Sequence, residues 1–166
     1  MLLAFSSHLI AAATLEGMAQ VIEQNIGLKD SLSLDQLRAR IKVQQEKSSP
    51  VNNHHVPGQV DRIVILGDGK GLEVEAYVTG PRRVMIQRVT ITTPKFKLPM
   101  GLQINRSSMD DVHKTFGESG ENEKGPNGAL ARRFYDPHPN GYGVSTLLWF
   151  DRHQRLAGIE WRYEID

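Results

Sequence analysis

The sequence predicts an α+β fold in which two tandem units, each a helix followed by an antiparallel meander, form one continuous sheet with helices on one face. Two observations predict it. A capped amphipathic helix pattern occurs twice, beginning at Ser33 and again at Ser108, and three strand-like runs follow each copy. Several of these runs alternate apolar and polar residues, which is typical of a sheet with one buried and one solvated face.

Length and composition limit the possibilities. The 166 residues fit one compact domain or two small packed ones, which we divide into an N-terminal segment 1–26, a first repeat 27–95 and a second repeat 96–166. Lys and Arg total 20 and Asp and Glu total 19, so the overall charge gives no reason to expect a nucleic-acid partner. The absence of cysteine excludes disulfides, thiolate nucleophiles and thiolate metal sites.

Residues 1–14 have two interpretations. The apolar run that ends in Ala11, Ala12 and Ala13 is typical of a secretory signal and predicts a periplasmic or secreted protein. Alternatively, apolar residues at helical spacing predict a first helix over residues 9–26, retained in a cytoplasmic protein. The run is too short and interrupted to cross a bilayer, so no stable membrane insertion is expected.

In the first unit, Ser33 is expected to cap a helix that runs to about Lys47, with Gln36 completing a capping box. The polar residues 48–58, bracketed by prolines, predict a loop. Three strands follow, at residues 60–66, 72–78 and 84–92. Glycines in residues 67–71 predict a hairpin turn between the first two strands.

The third strand of this unit has an irregular pattern. Met85, Val89 and Ile91 are expected on one face, with Arg88 and Thr90 on the other. However, Gln87 then falls in the apolar row and Ile86 in the polar row.

The second unit follows the same order. Its helix begins after Ser108 and ends at Gly117, where a left-handed cap is expected. A polar loop at 118–128 leads to three strands, at residues 131–136, 145–151 and 156–165. The middle strand contains Leu147-Leu148-Trp149-Phe150, which is apolar on both sides. One pair of these side chains must therefore be covered by something other than the helices, or lie open.

The second unit also carries a family outline. It consists of 98–102, 107–112, Phe116-Gly117-Glu118, Phe134-Tyr135, 147–151 with the turn to Leu156, and Ile159-Glu160-Trp161. This outline resembles the bacterial module shared by SmpA/OmlA outer-membrane-assembly lipoproteins and the β-lactamase inhibitor proteins, which contain two such units in tandem. The resemblance implies an α/β module that binds proteins in the bacterial envelope. The disulfides of the inhibitors and the acylated cysteine of the lipoproteins have no counterpart in this cysteine-free chain.

Three motifs suggest chemistry but have simpler explanations. The glycine-rich residues 67–71 lack the spacing and following helix of a phosphate-binding loop. The adjacent His54 and His55 lack metal-ligand spacing, and Asp110 and Asp111 suit the first turn of a helix. No catalytic residue, metal site or cofactor is therefore predicted.

We expect the solvated face of the sheet to bind another protein, because aromatic side chains beside arginine are typical of protein contacts. The residues predicted to take part are Glu73, Glu75, Tyr77, Arg88, Arg132, Phe134, Trp149, Glu160 and Arg162. Two alternatives remain open. One is a small-ligand-binding or hydrolytic domain with a pocket near the His54-His55 loop; the other is an immunity-type inhibitor of a toxic enzyme. The sequence specifies neither the partner nor the oligomeric state.

Overall fold

An eight-stranded antiparallel sheet forms the framework of the fold, which confirms the α+β class. The computed structural model describes residues 32–53, 55–80, 83–98, 101–118, 120–137 and 142–165. The predicted helix at 9–26, the signal interpretation of 1–14 and His54 lie outside these residues. The strands run in the order β1-β2-β3-β4-β8-β7-β6-β5. The elements are α1 (Leu34–Ile41), β1 (Gln45–Asn52), β2 (Val60–Gly67), β3 (Leu72–Gly80), β4 (Arg83–Ile91), α2 (Met109–Phe116), β5 (Glu121–Lys124), a 3-10 turn (Pro126–Gly128), β6 (Leu130–Pro137), β7 (Tyr142–Phe150) and β8 (Leu156–Ile165).

Both helices begin with the predicted capping box. The Ser33 hydroxyl accepts from the Gln36 backbone N–H at 3.3 Å, and the Gln36 side chain accepts from the Ser33 N–H at 2.8 Å. Ser108 and Asp111 repeat the exchange at 3.2 and 2.8 Å. The Ser108 N–H lowers the pKa of the Asp111 carboxyl below its usual range. Each such cap stabilises its helix by about 1 kcal/mol.

The first helix is shorter than predicted. It ends at Ile41 rather than near Lys47, because Lys42 adopts a left-handed conformation with φ 58° and its N–H bonds to the Arg38 carbonyl. The apolar periodicity also stops at Ile41, so nothing would bury a further turn.

Two edge strands lie where the sequence predicted loops. β1 takes up residues 48–52 of the predicted 48–58 loop together with the end of the predicted helix, and β5 lies within the predicted 118–128 loop. All four residues of β5 are exposed, as are seven of the eight in β1. An edge strand without a buried face has no apolar alternation, so its composition cannot be distinguished from that of a loop.

A β-bulge explains the irregular pattern of β4. Opposite β3, Arg88 pairs with Glu75 and Ile86 pairs with Ala76, so Gln87 is the additional residue. Ile86 consequently turns into the core, and Met85 lies opposite Tyr77 on the other face. The prediction that Met85 shares a face with Val89 and Ile91 was therefore wrong, because a bulge reverses the parity of the residues beyond it.

The main core lies between one face of the sheet and both described helices. It joins Leu37 and Ile41 of α1 and Val112 and Phe116 of α2 to inward residues of the strands, including Val64, Val74, Val89, Leu148 and Ile159. Full burial of each large apolar side chain contributes roughly 1.5–3 kcal/mol. No helix in the described part of the chain is long and apolar enough to cross a membrane.

The predicted hairpin turn at residues 67–71 is also present. In the 67–71 hairpin the Asp68 carboxylate accepts from the N–H groups of Lys70 and Leu72, and Gly69 and Gly71 have positive φ. Gly71 is required for space as well, since a Cβ there would lie 2.8 Å from the Thr92 hydroxyl.

Candidate protein-binding face

Strand parity defines an open face, which is the side of the sheet opposite α1 and α2. Residues such as Val64, Val74 and Leu148 point into the core, so their chain neighbours point to the other side. The buried apolar residues of both described helices belong to the core cluster. Within the described ranges, therefore, no helix packs on the open face.

Six of the nine predicted binding residues lie together on the open face. Glu75 faces Arg88 across β3 and β4, and Arg88 faces Arg162 across β4 and β8. In the adjacent row, Thr90 lies between Glu73 and Glu160. The six residues are Glu73, Glu75, Tyr77, Arg88, Glu160 and Arg162.

Five of these residues form an ion-pair ladder. The Arg88 guanidinium lies 2.6 Å from Glu75, 3.7 Å from Glu73 and 3.8 Å from Glu160. Glu160 also lies 3.2 Å from Arg162. Arg88 and Arg162 are directly opposite each other, and like charges in such a cross-strand pair repel and destabilise the sheet. The Glu160 carboxylate between them, with its side chain only 13% exposed, offsets that repulsion.

A further ion pair, between Arg133 and Glu123, was not predicted from the sequence. Arg133 donates two hydrogen bonds to the Glu123 carboxylate, one of them 3.0 Å long, and a third to the Ser145 hydroxyl at 2.8 Å. The bidentate contact lowers the pKa of Glu123 and raises the pKa of Arg133. Polar residues on both sides of this strand hid which arginine faces outward, and the prediction named Arg132 instead.

Arg132 and Phe134 do not belong to the open face. Arg132 lies opposite Leu148, which is a core residue, so both it and Phe134 point to the helix side. Phe134 is 4% exposed and its ring centroid lies 5.0 Å from that of Phe116. The guanidinium of Arg132 donates to Asn122 and to the Glu118 carbonyl. Strand parity therefore places Arg132 and Phe134 on the side of the sheet opposite the face predicted to bind a partner.

Trp149 is on the open face but is not an exposed anchor. It is 7% exposed and forms a small second core with Leu147 and Ala131. Its ring lies over Gly158, where a Cβ would come within 2.0 Å of Trp149 Cζ2, and its Cβ contacts Gly125. The chain covers this aromatic by itself. Trp149 is therefore not exposed for the predicted contact with a partner.

An apolar row on β2–β4 was also missed, apart from Tyr77. It consists of Ile63, Ile65, Tyr77 and Met85, all partly buried on the open face. Ile63 lies opposite Tyr77, which lies opposite Met85. The signal was available, because residues 63–66 are apolar on both sides of the strand, as residues 147–150 are.

Tyr77 is held in place by a buried carboxylate. Asp61, 3% exposed, accepts side-chain hydrogen bonds from Asn53 at 2.6 Å, Gln59 at 2.7 Å and the Tyr77 hydroxyl at 2.7 Å. These donors, Gln59 foremost, lower the pKa of Asp61, and the carboxylate raises the pKa of Tyr77. The cluster fastens the loop after β1 to the sheet and fixes the ring of Tyr77.

The motifs considered for catalysis or metal binding have structural surroundings. Asp111 completes a helix cap, residues 67–71 form a hairpin, and His55 is exposed on its loop. A shallow groove of about 540 Å³ lies near that loop, but its lining, residues 50, 59–62 and 78–80, contains no histidine. Across the described part of the chain, no three His, Asp or Glu residues are grouped as a metal site would require.

Comparison of this chain with protein-family models, with curated protein sequences and with solved structures finds no match. A function for the chain therefore has to be inferred from the chemistry of its own surface.

Proposed function

We propose that this protein is a non-enzymatic binding module that docks another protein on the open face of its sheet. It acts in the manner of an inhibitor or an assembly factor of the bacterial envelope. An immunity-type inhibitor of a toxic enzyme would use the same face with a different partner.

One observation carries the proposal: the apolar row lies beside the ion-pair ladder on a face that no described helix covers. Ile63, Ile65 and Met85 are partly exposed and lie outside the main core cluster. Protein interfaces typically combine an apolar centre with a polar rim. Charged side chains held by internal ion pairs are pre-organised for such a rim, which limits the entropy lost on binding.

The edges of the sheet favour docking on the face over strand addition. β1 has Pro50 in its middle, which lacks an N–H for a further ladder, and the charged residues Glu46 and Lys47. β5 is only four residues long and has the sequence Glu-Asn-Glu-Lys. Short, charged or proline-containing edges hinder the addition of another strand.

The proposal includes the tandem organisation and the resemblance to the SmpA/OmlA and β-lactamase inhibitor modules. In support, each half begins with a capping box, and the last strands of the two meanders, β4 and β8, join the halves. The modules that the chain resembles typically carry a Phe-Asp-x-x-Gly-x-Leu turn; residues 150–156 match it with Gln154 at the glycine position, and Gln154 has a positive φ of 57°. The duplication of residues 27–95 in 96–166 and the envelope location both belong to the proposal.

Site-specific photo-cross-linking tests the proposed function. A benzophenone amino acid placed at Ile65 should cross-link a partner in extracts of the source cells, whereas the same probe at the exposed Arg40 of α1 should not. Excess unlabelled protein should compete for the product, and the Ile63→Ser variant should compete poorly. Equal cross-linking from both positions, or equal competition by Ile63→Ser, would overturn the assignment of the open face.

A further inference from the structure

We infer that the partner of the open face presents an apolar side chain next to a lysine or arginine, and that this cation binds beside Glu73. The inference rests on the proposed function and adds the chemistry of the partner. It follows from the charges, the space and the apolar side chains that surround Ile65.

The ion-pair ladder has a surplus of negative charge. It contains three carboxylates, Glu73, Glu75 and Glu160, and two guanidiniums, Arg88 and Arg162, so its formal charge is −1. Arg88 is closest to Glu75, at 2.6 Å, and Glu160 is shared between both arginines.

Glu73 is the least neutralised member of the ladder. Its carboxylate lies 3.7 Å from Arg88, and its side chain is 50% exposed. An incoming cation can pair with it without breaking the shorter contact between Arg88 and Glu75.

The backbone leaves space for a long basic side chain beside Glu73. Gly67 is on β2. It lies directly opposite Glu73 of β3 on one side and Gln45 of β1 on the other. A Cβ built at Gly67 would make only ordinary contacts, 3.7 Å from Gln45 Cβ and 3.8 Å from Gln45 Oε1 and the Leu72 carbonyl oxygen, so the position can accept a methylene group. A methylene group of a lysine or arginine can lie there with the charged end at the Glu73 carboxylate.

The apolar row supplies the second half of the recognition. Ile65 is the next outward residue along β2 from Gly67, and the Tyr77 ring is fixed because its hydroxyl donates to Asp61. A fixed aromatic offers contact area at low entropic cost. The exposed Lys47 lies on the other side of Ile65, so a basic partner residue is favoured towards Glu73 and disfavoured towards β1.

Selection from a phage-displayed library of short random peptides tests this inference. Peptides selected on the intact protein should be enriched in an aromatic or aliphatic residue close to Lys or Arg. Synthetic versions should bind about tenfold more weakly to Glu73→Lys, as for a lost charge pair at an interface. The matched control is Glu118→Lys, which makes the same charge change at an exposed position following α2.

The outcomes separate the two proposals. If the selected peptides are neutral or acidic but lose binding to Ile63→Ser, the charge inference is wrong and docking on the open face stands. If the peptides bind Ile63→Ser, Glu73→Lys and the wild type equally, both proposals fail. Thermal unfolding of each variant checks that a loss of binding does not come from a loss of fold.

Discussion

The two halves of the open face differ in how far similar apolar side chains are covered by the rest of the chain. On β7, Leu147 and Trp149 are sealed against Gly158 and the segment around Gly125. On β2, Ile63 and Ile65 remain partly exposed beside a ladder of charges. A strand that is apolar on both sides therefore indicates a second contact, but the neighbouring residues decide whether that contact is internal or made with a partner.

Removal of Trp149 should give the largest effect in this comparison. Trp149→Ala empties the small core of the second half and should lower the free energy of unfolding by about 3–5 kcal/mol. Ile63→Ser, in the apolar row of the first half, should cost about 1 kcal/mol, because its side chain is only partly buried. Urea unfolding of both variants measures the difference. Equal losses would mean that the two halves are covered alike and would remove the basis for docking on the first half.

Gly158 and Gly67, two glycines of the open face, should give a smaller difference in stability that has a single steric cause. A Cβ at Gly158 would lie 2.0 Å from the Trp149 ring, so Gly158→Ala should cost about 2 kcal/mol through overpacking. Gly67→Ala meets its nearest atom at 3.7 Å and should change stability by no more than about 0.5 kcal/mol.

A double variant tests whether the ring is the cause. In Gly158→Ala combined with Trp149→Ala, the ring that obstructs the new methyl group is absent. The double variant should therefore lose less stability than the sum of the two single losses. Additive losses would place the strain of Gly158→Ala elsewhere.

At the junction between β4 and β8, the Glu160 carboxylate is shared by two facing arginines. Glu160→Gln leaves only Glu75 and Glu73, both beside Arg88, to offset the repulsion between Arg88 and Arg162, and should cost about 1–2 kcal/mol, with a smaller loss at high salt. Glu73→Gln is the control, because its half-exposed carboxylate should contribute no more than about 0.5 kcal/mol. A Glu160→Gln loss that does not change with salt would indicate lost packing rather than repulsion.

Most of the fold could be predicted from local patterns. Both capping boxes and six strands have the residue spacing that burial requires, and the structure places them there. The two edge strands could not be predicted, because β1 and β5 bury no face and gain their order from pairing with β2 and β6. The bulge at Gln87 left a visible irregularity, but only the pairing with β3 shows which residue is inserted.

The candidate site was predictable only in part. Alternation placed Glu73, Glu75 and Glu160 on one face, because polar residues in a half-buried strand turn to solvent. The exposure of an aromatic depends on contacts distant in sequence, so Trp149 was misjudged: Gly158 makes room for its ring and Gly125 for its Cβ. The parity of Phe134 was ambiguous because Arg132 and Arg133 occupy both sides of its strand.

The halves should also differ in their response to pH. In the first half, hydrogen bonds from Gln59 and then Tyr77 hold the pKa of Asp61 below its ordinary 3.8, and the Asp61 carboxylate raises the pKa of Tyr77 above its ordinary 10.0. The contribution of Asp61 is present above pH 3.8 and is lost as pH falls through its lower folded value. The contribution of Tyr77 is present below pH 10.0 and is lost as pH rises through its higher folded value. The Arg133–Glu123 pair of the second half loses its contribution only in acid, because the guanidinium stays charged.

Tyr77→Phe should therefore remove part of the stability loss at alkaline pH and weaken the loss in acid. Unfolding free energies from urea titrations across the pH range measure both limbs. Tyr135→Phe is the matched control, since Tyr135 is 53% exposed on the second half of the same face. If Tyr77→Phe followed the wild-type curve at both ends, the hydrogen bond to Asp61 would not be fixing the Tyr77 ring. The apolar row would then lack the rigid aromatic on which its affinity for a partner depends.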